Sequence, residues 1–489
     1  MPKGYATVFA AQPMGAGAEL VTIETDLSQG LHAFSIVGLP DKAIEESRDR
    51  ISAAIRHSGF KSPKATNRRI ILSLSPANLR KEGSQYDLPL AICYLAAAGD
   101  IVLPVTPMLF AGELGLNGTL RATRGILAQV LAAKKAGIKV VVVAPQNAQE
   151  AFLPGDVTVY APQNLEELVA HLQGITILEP YTKKQERGPA PSVLDIGTIR
   201  GQETAKRALE IAATGRLNLM LYGPPGTGKT MLARAVCGIL PPLSFSEMIE
   251  VTALHSTAGI LSDGSVVEWA PFRSPHHTAS ATALIGGGSF PRAGEVTLAH
   301  RGILFLDEFP EFDTRSIESL RQPLEDKFVT IARTKGSLTF PADCMIIAAM
   351  NPAETLTTQP EVAVRTALKQ ARKLSRAIVD RIDMWVEVPH LSQEELYAES
   401  TGETSEVVRE RVTAARAIGT ASRIEPLISE DAKRLLMSAV GRLALSPRAY
   451  HRTLRVSGSI AHLRGSNKTE PQDVLEALQY RPRGLFGFE

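Results

Sequence analysis

The sequence predicts an α/β protein built in several parts: a mixed-sheet domain, a parallel-sheet domain and a helical C-terminal domain. Three observations predict it. The first 172 residues alternate strand and helix patterns, as in AELVTIETDL, RIILSLSPA and ILAQVLAAKKAGIKVVVVAP. Residues 217–230, LNLMLYGPPGTGKT, place a short apolar run ahead of a glycine-rich loop and a helix. From residue 393 onward, amphipathic helical patterns follow one another.

Composition sets the limits. At 489 residues the chain exceeds what one core supports. With 53 Lys and Arg against 51 Asp and Glu, the net charge of +2 excludes a generally basic nucleic-acid binder, so any such contact needs a local patch. Cys93, Cys237 and Cys344 are scattered and make neither a disulfide framework nor a zinc pattern. The apolar run at 5–11 is cut by Gln12 and Pro13 and is too short for a signal peptide. No run approaches the ~18 apolar residues of a membrane span. A cytoplasmic protein is expected.

Taken in order, residues 42–59 carry Ile44, Ile51, Ala54 and Ile55 at helical spacing, with Gly59 as a stop. RIILSLSPA is a β-branched strand, and the polar loop after it enters a buried helix, LPLAICYLAAAG. No nucleotide or metal motif falls in this part. The stretch EPYTKKQERGPAPS reads as a linker. Boundaries are expected at 1–175, 176–192 (linker), 193–392 and 393–489.

In the phosphate loop, Gly223, Gly226 and Gly228 let the backbone curl so that N–H groups point inward at phosphate oxygens. Pro224, Pro225 and Thr227 complete the loop. The helix start adds partial positive charge there. Lys229 is placed for the β/γ-phosphates, and Thr230 for a Mg²⁺ shell. The helix should bury Met231, Leu232, Ala235 and Val236 on one face. The motif implies binding of a nucleoside triphosphate.

GILFLDE is an apolar strand ending in Asp307, suited to hold Mg²⁺ through water, and Glu308, suited to polarise an attacking water. Between them and the loop lies a Gly-, Ser- and His-rich insert, 244–300. Its adjacent His276 and His277 should point apart, as loop contacts or a metal pair; Arg273 and Arg292 are phosphate contacts or solvated surface. FVTIARTKGSLTF alternates as a β-hairpin with Arg333 and Lys335 near its tip. CMIIAAMNP is a buried strand with Asn351 at its carboxyl end, where open parallel sheets bind ligands. VDRID supplies Arg381. Three capped helices follow, the second carrying Arg448 near its start.

GPPGTGKT, GILFLDE, AAMNP, VDRID and LSPRAYHR, in this order, resemble the magnesium-chelatase-like AAA+ ATPases of the ComM (YifB) type. FSIVGLPDKAIEESRDRI and APFRSPHHTASATALIGGGSFPRAGEV are typical of that type. The resemblance implies ATP and Mg²⁺ as cofactors, Asn351 as first sensor, Arg381 as a finger acting on a neighbour's ATP, and Arg448 as second sensor. It implies a homo-hexameric ring with the 328–340 hairpin facing the pore, and a motor driving branch migration of single-stranded or branched DNA. It also implies an N-terminal domain similar to the Lon protease domain, with Leu127 standing where the catalytic lysine would be. Ser84 is then a serine without a base, and the domain is non-catalytic. The chain departs from the type after Asn351, where a cysteine-rich stretch is replaced by cysteine-free sequence.

The leading expectation is therefore an ATP-driven DNA translocase or helicase, without a membrane partner. A remodeller of a protein partner is the alternative motor. A scaffold locked by ATP is the third, and Glu308 and Arg381 argue against it, since a lock needs no hydrolysis.

Overall fold

Side-chain alternation dictates the first sheet. In the strand Tyr5–Met14, Ala6, Val8 and Ala10 are buried while Thr7 and Phe9 are half-covered, the period of a strand with one face on a core. The run at 5–11 is thus the start of a strand. A computed structural model describes residues 4–182, 188, 194–261, 264–288, 292–333, 336–351, 376–397, 402–421, 427–443 and 445–482. The chain forms two compact units: Met1–Arg187 with Phe245–Val267, and Gly188–Ser244 with Glu268–Glu489.

The first unit holds a seven-stranded mixed sheet. Its order is Ala33–Val37, Arg68–Ser75, Gly17–Gln29, Tyr5–Met14, Met108–Phe110, Val140–Val142 and Thr158–Tyr160. The Tyr5–Met14/Gly17–Gln29 hairpin is antiparallel, and the last four strands in that order run parallel. The helix Lys42–His57 starts where Asp41 accepts from the Ile44 N–H at 2.9 Å, a cap worth about 1 kcal/mol. The helix Asp87–Ala98 is buried nearly all round and stops at Gly99, which takes the left-handed conformation. Leu127 is wholly buried at the start of the helix Ile126–Lys135, and its N–H donates to Glu150. An apolar side chain therefore stands where the Lon resemblance would ask for a lysine.

The helix Phe245–Ala258 lies inside the insert that the sequence marked only as Gly-, Ser- and His-rich. It buries Met248, Val251, Thr252, Ala253, Leu254, His255 and Ser256, and the Ser256 hydroxyl accepts from the Gly125 N–H at 2.8 Å. The chain thus leaves the second unit after the phosphate-loop helix, passes through the first, and returns.

In the second unit, five parallel strands lie in the order Phe272–Arg273, Ile303–Leu306, Met345–Met350, Leu219–Tyr222 and Met384–Glu387. Ile303–Leu306 and Met345–Met350 are buried at every residue, as parallel strands covered on both faces require. The helix Lys229–Ile239 turns Leu232, Ala233, Ala235, Val236 and Ile239 into the core. Met231, expected on that face, is instead half-exposed, because it falls on the solvent side of the turn. The hairpin pairs Phe328–Arg333 with Gly336–Pro341 from Arg333↔Gly336 outward, so Gly336 belongs to a strand and the connection is 334–335. Lys335 lies outside the described residues, as does the cysteine-free stretch 352–375.

The C-terminal helices are Ser405–Ala421, Glu430–Arg442, Pro447–Leu463 and Pro471–Gln479. The last three match expectation; the first extends the helical part. Among the described residues no helix is long and apolar enough to cross a membrane.

Candidate nucleotide site

Three neighbouring strands of the parallel sheet end at the same edge. Leu219–Tyr222 runs into the glycine-rich loop, Ile303–Leu306 into Asp307 and Glu308, and Met345–Met350 into Asn351. This is the crevice that an open parallel sheet offers a ligand. The loop is held to the sheet where the Gly223 N–H donates to the Met350 carbonyl at 3.3 Å. A Cβ on Gly223 would sit 2.2 Å from the Val388 carbonyl oxygen, so no side chain fits there. Gly226 and Gly228 take φ of 81° and 89°, which a side chain resists.

Lys229 is the first residue of the following helix and only 8% exposed. Its Nζ donates to the carbonyls of Gly223 at 2.9 Å and Pro224 at 2.7 Å. Burial draws the lysine pKa down, and the Asp307 charge opposes the shift in part. A buried cation whose hydrogen-bond acceptors are carbonyls and a hydroxyl is suited to an incoming anion. Thr227 closes the loop on itself, its hydroxyl donating to the Pro224 carbonyl. Pro224 and Pro225 lie within the same turn.

The Thr230 hydroxyl donates to Asp307 Oδ2 at 2.8 Å. A hydroxyl and a carboxylate brought together beside a phosphate loop form a hard-oxygen donor pair that fits Mg²⁺. The other Asp307 oxygen accepts from the Glu308 N–H. Glu308 holds a left-handed backbone at φ 49°, a conformation that side chains other than glycine's seldom take. Its half-exposed carboxylate meets His277 Nδ1 at 3.1 Å. The sequence had His276 and His277 pointing apart, but their ring centroids are 4.1 Å from each other. Alternation holds only for extended backbone, and a turn begins at His277. Among the described residues, no cluster of His, Cys, Asp and Glu is placed to hold a metal. Buried Cys237 and Cys344 have thiols pushed up to about 12 by desolvation, which keeps them inert. Arg273 is bound through Nε and Nη2 to the two oxygens of Glu295, at 2.7 and 2.9 Å, which explains it as a structural pair; Arg292 is exposed.

A cleft of about 790 Å³ opens beside Tyr222, lined among others by Gln202, Pro389, Leu391 and Tyr480. It is of the size that takes a small ligand.

Arg381 and Arg448 lie elsewhere. Met384–Glu387 is paired in register with Leu219–Tyr222, Leu219 with Met384 and Tyr222 with Glu387. Arg381 precedes that strand, whereas the loop follows its neighbour. At ~3.3 Å per residue, the strand alone separates their levels by ~13 Å, farther than an arginine side chain spans. Arg381 is 3% exposed and its Nη2 meets Glu325 at 2.6 Å. Arg448 meets the other oxygen of Glu325 at 2.9 Å. Asp383, wholly buried, accepts from Arg452 and from the Asn218 N–H, fixing the turn that carries Arg381. The structure thus gathers Lys229, Thr230, Asp307, Glu308 and Asn351 at one edge of the sheet, and Arg381 with Arg448 at the other. Glu325 was not singled out by the sequence, since no spacing marks a contact among residues 325, 381 and 448.

The comparisons agree along the chain. A model described as magnesium chelatase, subunit ChlI, matches residues 195–396; models of subunit ChlI of Mg-chelatase and of the ChlI C-terminal part match 23–147 and 402–481. Competence protein ComM of Haemophilus influenzae is 40% identical over 97% of both chains. Protein YifB of Salmonella typhimurium is 38% identical over 97% of both. DNA replication licensing factor Mcm6 of Drosophila melanogaster is 22% identical over 60% of this chain and 35% of its own length. With the phosphate loop, the acidic strand end and the parallel sheet in place, the chain belongs to the ComM/YifB-type magnesium-chelatase-like family of AAA+ ATPases.

Proposed function

We propose that this protein is an ATP-hydrolysing ring motor that moves on DNA, acting in branch migration during recombination. The observation that carries the ring is the separation of the two halves of the site. A subunit that keeps Lys229, Glu308 and Asn351 at one sheet edge and Arg381 and Arg448 at the other completes a site only with a neighbour, and heterologous contacts of that kind make rings where the rotation closes. Hexamers are the closure that the family resemblance implies.

ATP is held by its phosphates on the loop N–H groups and Lys229, with its base and sugar in the cleft beside Tyr222. Thr230 and Asp307 would hold Mg²⁺, which would supply positive charge to offset that of the phosphates. Glu308 orients and polarises the attacking water, and Asn351 holds the water or the terminal phosphate by its amide. The arginines of the adjacent subunit stabilise charge as it develops on the transferring phosphoryl group.

DNA as the track is supported by the kinship with ComM, whose name places it in competence, and with Mcm6, a replication licensing factor. The 328–341 hairpin is supported as the contact: Phe328–Arg333 pairs with Gly336–Pro341, with Arg333 at the end of one strand and Lys335 two residues on in the sequence. A ring brings one copy per subunit to a common channel, which compensates for the near-neutral charge of one chain. The double variant Arg333→Ala, Lys335→Ala is expected to lower affinity for single-stranded and forked DNA about tenfold or more at low salt and to flatten its salt dependence, with basal hydrolysis unchanged. A double variant that binds and unwinds forked DNA normally moves the contact to Arg292, or to Lys64, Arg68 and Arg69 of the first unit.

A further inference from the structure

The two arginines assigned to the neighbour's phosphate reach one carboxylate by different routes. Arg381 comes from the turn before the last strand of the sheet, Arg448 from the first turn of the helix Pro447–Leu463, and Glu325 from the short helix Arg321–Asp326. Glu325 Oε2 accepts from Arg381 Nη2 at 2.6 Å and Oε1 from Arg448 Nη2 at 2.9 Å. Arg381 is sunk in the fold while Arg448 is 55% exposed. One carboxylate thus brings two guanidinium groups from distant parts of the chain together.

The position of Arg448 sharpens the point. It is the second residue of its helix, after Ser446 as cap and Pro447. The helix N-terminus carries partial positive charge, so a cation there is unfavourable unless an anion sits beside it. Arg321, from the same short helix as Glu325, adds further positive charge at the carboxylate. Arg452, one turn along from Arg448, is already committed to Asp383. Glu325 therefore supplies the negative charge that lets Arg381 and Arg448 share one place.

We propose that Glu325 is a positioning residue for ATP hydrolysis: it gathers Arg381 and Arg448 into one two-pronged receiver for the terminal phosphate of the ATP held by the adjacent subunit. This rests on the two-subunit reading of the site above. It requires nothing of DNA.

The test is hydrolysis by Glu325→Gln, alone and in mixed rings. The isosteric amide removes the charge and leaves the volume. Alone, it is expected to lose on the order of 10- to 100-fold in kcat, with the KM for ATP and the thermal midpoint little changed, since misplaced groups cost rate more than ground-state binding. Mixed with Lys229→Ala subunits, activity returns, because an intact loop from one partner faces an intact arginine pair from the other. Mixed with Arg381→Ala subunits it does not return, because both lack the same face. A staple that merely fixed the helix Arg321–Asp326 would lower the midpoint and leave kcat in place. Wild-type kcat in Glu325→Gln, failure of Lys229→Ala subunits to rescue it, or rescue by Arg381→Ala overturns the proposal. If Arg381→Ala and Lys229→Ala also fail to rescue each other, the two-subunit site falls with it; if they succeed, only the role of Glu325 falls.

Discussion

Lys229→Ala is expected to abolish ATP binding, whereas Glu308→Gln is expected to bind ATP and keep it. The lysine Nζ rests on the carbonyls of Gly223 and Pro224 inside the loop, and the β/γ-phosphates take that place as its acceptors. Two charge-assisted hydrogen bonds at about 1.5–3 kcal/mol each correspond to a loss of roughly 100-fold to 10⁴-fold in affinity. Glu308 is different in kind. Its carboxylate is half-exposed and meets His277, on a backbone fixed by the bond from its own N–H to Asp307. Gln keeps the shape and loses the base, so kcat falls about 10²- to 10⁴-fold while nucleotide affinity and assembly stay. Equilibrium binding of a labelled nucleotide and steady-state hydrolysis separate the two. Turnover by Glu308→Gln at the wild-type rate removes the carboxylate from the mechanism.

Arg381→Ala subunits are expected to be inactive alone and to regain activity when mixed with Lys229→Ala subunits. The finger is worth on the order of 10³-fold or more in rate when it acts across an interface. Neither parent can build one complete site. In a random equimolar ring, roughly a quarter of the interfaces pair an intact loop with an intact arginine, so that share of wild-type hydrolysis returns. The ~13 Å between the levels of Arg381 and the loop along the sheet is the physical reason. A mixture as inactive as either parent assigns Arg381 to its own subunit or to the fold alone.

Local chemistry was legible in the sequence. GPPGTGKT needs one strand, one loop and one helix, contiguous in the chain, and the structure supplies them in that order. Asp307, Glu308 and Asn351 could be read because each ends an apolar run, and a parallel sheet brings such ends together. What could not be read depends on residues far apart in the chain. Glu325 joins positions 381 and 448 through ion pairs that no periodicity encodes. The contact of His277 with Glu308 was hidden because a turn places the two histidine rings side by side, against the alternation expected of extended chain. The helix Phe245–Ala258 was obscured by the glycine and histidine content of the insert around it. Its signal was present: a run with few breakers, ending at Gly259 with φ 72°. That it belongs to the first unit depends on contacts such as that of Ser256 with the Gly125 N–H, which lie far apart in the chain.

ATP hydrolysis followed while single-stranded or forked DNA is titrated in at low salt joins the ATP site to its track in one measurement. The expected result is a rate that rises several-fold to saturation, that weakens as salt is added, and that loses the rise but not the basal rate in Arg333→Ala, Lys335→Ala. A rate that stays at its basal value throughout the titration, while the same preparation hydrolyses ATP as an assembled ring, contradicts a DNA motor and favours a remodeller of a protein partner.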